Sequence, residues 1–164
     1  MKKTSLFYSS SVGFTLIELL IVVSIIILMV GGGIASFINF NEKQRVLNGG
    51  KELQEYLRMA QTLVRVGDTP DGCGKLSGYE VISADTGIAK EIKLIAVCSN
   101  GDIQRKSFFL PESTTLSSDI DITFHGLHGG VTGATSIEVI GNSGRTYTFE
   151  VTPGGEISQG EVLQ

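Results

Sequence analysis

The stretch that decides the fold is GFTLIELLIVVSIIILMV, residues 13–30. From Phe14 to Val30 its only polar side chains are Thr15, Glu18 and Ser24. Continued as a helix to Phe40, it is about 40 Å long, which is enough to cross the roughly 30 Å hydrocarbon layer of a bilayer. The sequence therefore predicts a membrane-spanning helix. Glu18 is its anomaly, because a carboxylate inside a membrane segment is costly and needs a partner.

Charge is distributed unevenly around this stretch. Lys2 and Lys3 precede it, and a positive segment before an apolar run stays in the cytoplasm, which sends the C-terminal part across the membrane. The chain has 13 basic and 17 acidic residues, a net charge of -4; without Lys2 and Lys3, 11 basic residues remain against 17 acidic ones. An acidic C-terminal part does not favour nucleic acid as a partner, although a local basic patch stays possible.

Two plain interpretations of the N-terminal segment are a secretory signal peptide and an uncleaved anchor. The small residues 31–36, GGGIAS, offer a signal peptidase a cleavage site. The apolar run is long for a signal peptide, however, and Glu18 stands where a signal peptide has only apolar residues. A simple anchor also leaves Glu18 unexplained.

The residues 13–22 closely resemble the processing site of type IV prepilins and type II secretion pseudopilins. The similarity consists of a short basic leader, glycine before the cut, phenylalanine after it, and glutamate at the fifth mature position. It implies that prepilin peptidase cleaves between Gly13 and Phe14 on the cytoplasmic face and that Phe14 is then N-methylated. It also implies that the Glu18 carboxylate meets the N-terminal amine of a neighbouring subunit during assembly.

The resemblance also implies a location and a set of partners. The mature chain would be stored as a single-pass protein of the cell (inner) membrane with its head outside the cytoplasm. An inner-membrane assembly platform would then extract it into a pilus or pseudopilus filament, where its helix bundles with those of other subunits. The chain would divide into a leader (1–13), a transmembrane and filament-core helix (14–40), an amphipathic helix (41–66) and a β-rich head (67–164).

An amphipathic pattern extends the helix beyond the apolar segment. Val46, Leu53, Leu57, Ala60 and Val64 recur at spacings of seven, four, three and four. This stripe predicts the surface on which a sheet packs, whereas the charged residues between its members, Lys51 and Arg58 among them, predict a solvated face.

Two glycine clusters lie within the predicted helix, at Gly31–Gly33 and at Gly49–Gly50 after Asn48. Each glycine costs about 1 kcal/mol of helix propensity, so both clusters predict interruptions. Many family members have a helix-bending proline at the position of Ala35, and Gly31–Gly33 would supply equivalent flexibility. The second cluster predicts a hinge or a true break, and the sequence does not decide between them.

Short β-rich segments alternate with turn signals after Arg65, and no βαβ pattern or phosphate-binding loop is present. The fold class predicted is therefore α+β, a long helical spine packed against an antiparallel sheet. Residues 120–160 also resemble the H-type pseudopilin and T-type fimbrial minor pilin family (GspH/FimT). Some T-type members bind DNA through a basic C-terminal region, but residues 155–164 contain no Lys or Arg. The predicted strands are Tyr79–Ala84, Ile88–Cys98, Ile103–Leu110, Ile120–His125, Thr135–Ile140, Arg145–Val151 and Glu156–Ser158.

The chain has two cysteines, Cys73 and Cys98. If the head lies outside the cytoplasm, a disulfide between them is favoured, and it would stabilise the head by roughly 3–4 kcal/mol. The alternative is a pair of reduced, buried thiols.

A few loop residues carry groups that bind metals in other proteins. His125 and His128 lie three apart, but catalytic zinc needs three protein ligands, so a solvated loop is favoured. The loop oxygen donors lack the dense acidic alternation of a calcium site. We therefore predict no metal and no cofactor. These donors are Asn100, Asp102, Asp119, Asp121 and the acidic loop Asp68–Asp71.

No nucleophile has the supporting residues of a catalytic triad, so the sequence predicts that the chain is not an enzyme. Arg105 with Lys106, and Lys90 with Lys93, predict solvated strand faces and not a nucleic-acid track. The function expected from the resemblance is a structural one, a minor pilin or pseudopilin. The alternatives are a major filament subunit and a minor pilin whose head binds DNA or a surface. The sequence does not distinguish a type IV pilus from type II secretion.

Overall fold

The computed structural model describes residues 13–87, 89–126, 130–133 and 135–163. It contains one α-helix and, in the described ranges, nine strands, and it divides into two compact units, one ending at Asn39 and one beginning at Phe40. We call them the N-terminal unit and the C-terminal unit. The elements are α1 (Leu16–Val66), β1 (Leu76–Asp85), β2 (Lys90–Cys98), β3 (Ile103–Phe109), β4 (Thr114–Leu116), β5 (Asp121–His125), β6 (Val131–Thr132), β7 (Ser136–Gly141), β8 (Thr146–Glu150) and β9 (Glu161–Leu163).

The N-terminal unit is the first part of α1 and the residues before it. Its large apolar side chains are exposed, as Phe14 at 79% and Leu28 at 77% illustrate. By length and composition, α1 is sufficient to cross a membrane, and it is the one such helix in the described residues. This confirms the long apolar N-terminal helix that the sequence predicts.

The C-terminal unit contains two antiparallel sheets. The first has the order β3-β2-β1-β5-β6 and the second the order β4-β7-β8-β9. In the first sheet β1 is central, because Tyr79 pairs with Ala96 of β2 on one side and with Phe124 of β5 on the other. The chain is therefore α+β with antiparallel pairing as predicted, although its strands form two sheets and not the single sheet predicted.

The second part of α1 packs against these sheets through the predicted stripe. Val46, Leu53, Leu57 and Ala60 are fully buried and belong to one core with residues of both sheets. Tyr56, beside the stripe, stacks on Phe108 of β3 with ring centroids 4.5 Å apart. The prediction that this face of the helix carries the sheet is confirmed.

The glycine clusters do not break the helix, which runs without interruption from Leu16 to Val66. Of the two alternatives at Gly49–Gly50, a hinge or a true break, the true break is therefore wrong. A Cβ on Gly50 would lie 2.0 Å from Cδ1 of Tyr147, and one on Gly49 would lie 3.0 Å from Cδ of Pro111. These glycines allow Tyr147 of β8 and Pro111 of the β3–β4 connection to approach the helix backbone closely, and the packing offsets the low helix propensity of the glycines.

Six of the seven predicted strands correspond to observed strands. The seventh is reduced to a single bridge, and three short observed strands were not predicted. The predicted strand at Glu156–Ser158 is only an isolated bridge between Val151 and Ile157. The three short strands β4, β6 and β9 are not predicted. Each of the three lies at the edge of its sheet, where a neighbouring strand supplies the pairing.

Candidate functional site

The first candidate site is the start of α1. Thr15 caps the helix, since its Oγ1 accepts a hydrogen bond from the Glu18 N–H at 3.3 Å and its carbonyl accepts one from the Leu19 N–H at 3.1 Å. The Gly13–Phe14 bond precedes this cap, outside the helix, and both residues are exposed. The predicted cleavage point therefore lies outside the helix at two exposed residues. The rest of the predicted leader, residues 1–12, lies outside the described residues.

Glu18 lies in the first turn of α1, where a negative charge interacts favourably with the helix dipole. Its side chain is exposed among the apolar residues Ile17, Leu19 and Ile21. None of the described residues pairs with its carboxylate. The carboxylate is thus available to a partner outside the chain.

A second feature is the loop that follows α1. Cys73 and Cys98 form a disulfide with a Cα–Cα distance of 5.4 Å. Beside it the Asn100 side chain accepts from the Gly74 N–H at 2.7 Å and donates to the Gly72 carbonyl, while Ser99 Oγ accepts from the Lys75 N–H at 3.0 Å. The expected disulfide therefore joins the loop to the end of β2, and these hydrogen bonds reinforce it.

The candidate metal ligands are dispersed and have structural partners. His125 Nε2 lies 2.8 Å from Thr132 Oγ1, and His128 is outside the described residues. Asn100 holds the disulfide loop, and Asp102 accepts a 3.4 Å hydrogen bond from the Cys98 N–H. In the described ranges no group of three or more His, Cys, Asp or Glu residues converges on a point that a metal ion could occupy.

Among the other acidic candidates, Asp119 accepts a 2.7 Å bond from Lys90 Nζ, and this hydrogen bond keeps the pKa of Asp119 below its usual value. Asp121 faces Glu80, whose pKa is raised mainly by burial and further by the Asp121 charge. Asp71 is exposed, and Asp68 pairs with Arg105 at 2.9 Å. These carboxylates are therefore not assembled around a common ligand.

Three clefts follow one side of the second part of α1. Among the described residues that line them, His125 is the one candidate metal ligand. The largest, about 750 Å³, lies at the end of α1 and contains Arg65, Lys75 and His125. A cleft of about 340 Å³ contains Arg58 and Arg65, and one of about 290 Å³ contains Lys51 and Arg58. Neighbouring clefts therefore share an arginine.

Sequence reasoning missed two features at these sites, although both have sequence signals. Thr15-x-x-Glu18 is the pattern of a capping box, which marks a helix start. Lys51, Arg58 and Arg65 are spaced by seven residues, which places them on one helix face. From the sequence, Lys51 and Arg58 are predicted only as part of a solvated face, and no role is predicted for Arg65.

Comparisons of the chain with models of protein families, with curated proteins and with solved structures find no match.

Proposed function

We propose that the chain is a structural subunit, a minor pilin or pseudopilin, that is processed by prepilin peptidase and assembled into a type IV pilus or a type II secretion pseudopilus. The observation that carries the proposal is the start of α1, where a capped helix presents an exposed apolar surface interrupted by the single carboxylate of Glu18. An antiparallel sheet unit on the second part of the same helix supports it. The proposed role has no catalytic step and no cofactor.

The physical role of Glu18 follows from its surroundings. When apolar helices bundle, water leaves their surfaces and an unpaired carboxylate becomes costly. Cleavage before Phe14 creates a positive amine about one helical turn from Glu18. A neighbouring subunit displaced along the filament axis presents such an amine, and the pair offsets much of the desolvation of both charges. The pair therefore fixes the position of the incoming subunit along the filament more than it stabilises the filament.

Mass spectrometry of the mature chain tests the processing step. The expected N-terminus is an N-methylated Phe14, and Gly13→Leu should leave the leader attached. An N-terminus within residues 31–37 would instead identify a secretory signal peptide.

Three variants test the assembly step in sheared filaments from the host cell. Glu18→Ala and Glu18→Gln should both be processed yet be depleted from filaments at least tenfold, because each removes the charge. Thr15→Ala is the matched control, since it removes the cap and leaves the charge, and it should still assemble. Normal incorporation of Glu18→Gln would contradict the charge-pairing role. The stoichiometry in the same filaments distinguishes a minor from a major subunit.

A further inference from the structure

The three clefts beside α1 are connected by one row of positive side chains, which we call the cationic row: Lys51, Arg58 and Arg65. All three are exposed. Seven residues of helix rise about 10 Å, so the row is roughly 20 Å long and nearly parallel to the helix axis. Because Arg58 and Arg65 each line two clefts, the row forms a continuous cationic groove in the C-terminal unit.

The charges of this row are not neutralised within the described part of the chain. Lys90, Lys93 and Arg105, all on strands, are among the basic residues that form ion pairs there, and no described acidic residue forms one with a member of the row. Lys75 continues the positive charge into the largest cleft. A chain with a net charge of -4 thus has unpaired cations along one groove, which favours an anionic partner.

Acidic residues alternate with the members of the row. Glu55 lines the cleft between Lys51 and Arg58, and Glu156 lines the cleft between Arg58 and Arg65. A nucleic-acid strand has a phosphate about every 3.4 Å along a duplex and would place phosphates against both glutamates. The groove therefore disfavours a partner with densely spaced charge, because like charges repel it.

The groove also lacks a surface for stacking bases. Tyr147 is the only Phe, Tyr or Trp among the described residues that line the three clefts, and it is 2% exposed, while the one His there, His125, is half-buried and bonded to Thr132. Proteins that bind single-stranded nucleic acid use exposed aromatic rings for this purpose. Both the charge pattern and the lining thus argue against nucleic acid.

An extended polypeptide matches the spacing. Three residues of a polyproline II segment rise about 9 Å and complete one turn, so every third side chain lies on the same side of the segment. This repeat is close to the rise of about 10 Å between successive members of the row. The planar guanidinium groups of Arg58 and Arg65 bind carboxylates through two parallel hydrogen bonds. We propose that the cationic row binds an extended acidic segment of another protein, with a carboxylate at every third residue.

The test is fluorescence anisotropy with the full chain in neutral detergent micelles. The probe is a fluorescein-labelled peptide that repeats Asp-Thr-Thr, and the reference peptide has the same composition with its aspartates in one block. The repeating peptide should bind about tenfold more tightly than the block peptide. Equal affinity for the two peptides would overturn the proposal without using any variant.

Variants localise the binding. Arg58→Ser/Arg65→Ser should weaken binding of the repeating peptide about tenfold. The matched control Lys43→Ser/Lys106→Ser removes the same charge from other exposed positions and should leave the affinity unchanged. If both double variants lost affinity for the repeating peptide equally, the binding would depend only on net charge, and the proposal would be overturned. If an oligothymidylate of equal charge bound more tightly than the repeating peptide, and Arg58→Ser/Arg65→Ser abolished that binding, the partner would instead be nucleic acid. The measurement does not depend on filament assembly.

Discussion

Replacement of Gly50 by alanine is expected to destabilise the C-terminal unit, although alanine is the better helix former. The added Cβ would lie 2.0 Å from Cδ1 of Tyr147, far inside van der Waals contact. The Tyr147 ring is buried, and its hydroxyl donates a 2.8 Å hydrogen bond to Gln54 Oε1. On its other side a Cβ on Gly160 would lie 2.2 Å from Cζ of the same ring, so the ring has no room to retreat.

The expected magnitude combines three effects. Alanine should add about 1 kcal/mol of helix propensity. Overpacking in a buried site costs about 1–3 kcal/mol, and loss of the Tyr147–Gln54 hydrogen bond costs about 1 kcal/mol more. The free energy of unfolding should therefore fall by about 1–3 kcal/mol, which lowers the melting temperature by roughly 4–12 °C for a unit of this size.

Thermal unfolding of the full chain in detergent, followed by near-ultraviolet circular dichroism, measures this change. Gly31→Ala is the matched control, because the same substitution in the same helix meets open space and should leave this transition unchanged. In the double variant Gly50→Ala/Tyr147→Ala the losses should be less than additive, since the ring that clashes is absent. An unchanged or higher melting temperature for Gly50→Ala would refute the reasoning.

Two further predictions concern the stability of the same unit. The Cys73–Cys98 disulfide joins residues 25 apart in sequence, and its reduction should lower the free energy of unfolding by about 3 kcal/mol. Dithiothreitol should therefore lower the melting temperature of the native chain but not that of Cys73→Ser/Cys98→Ser. An equal drop in melting temperature in both proteins would exclude this bond. Burial raises the pKa of Glu80 above its ordinary 4.5, so the stability that this group contributes is present below pH 4.5 and is lost as the pH rises through the raised pKa. Glu80→Gln should accordingly raise the melting temperature at pH 7 and lose this advantage below pH 4.5. The control Glu138→Gln should not show this pH-dependent gain. An equal gain for Glu80→Gln at both pH values would contradict the raised pKa of Glu80.

The helix and its buried stripe were predictable because the signal is repeated. Val46, Leu53, Leu57 and Ala60 recur on one face over four turns, so tertiary packing and local pattern agree. Gly50 shows where this reasoning ends. Propensity alone makes it a helix breaker, but the reason for the glycine is a ring 97 residues away in sequence at Tyr147, which no local pattern reveals.

The short strands were missed for a related reason. β4, β6 and β9 have two or three residues each, which is too few for an alternating pattern to be visible. Their pairing is imposed by longer neighbours, as when Thr146–Thr148 of β8 pairs with Glu161–Leu163. The spacing of seven places the members of the cationic row on one helix face, but only the clefts show that they line one groove.

Glu18 illustrates how one residue combines two physical roles. As the third residue after the Thr15 cap it completes the sequence pattern of a capping box, although only its backbone N–H bonds to Thr15, and in the first helical turn its charge interacts favourably with the helix dipole. Both roles explain a glutamate at this position in a helix surrounded by water. Neither explains its place in a surface as apolar as that of residues 14–30, where the cost of an unpaired carboxylate exceeds the gain of about 1 kcal/mol from a cap. Glutamine also fits a capping box but carries no charge, so Glu18→Gln separates the two roles. The excess cost is the physical reason to expect a cationic partner, and under the proposed function that partner is the amine that cleavage before Phe14 would create on a neighbouring subunit.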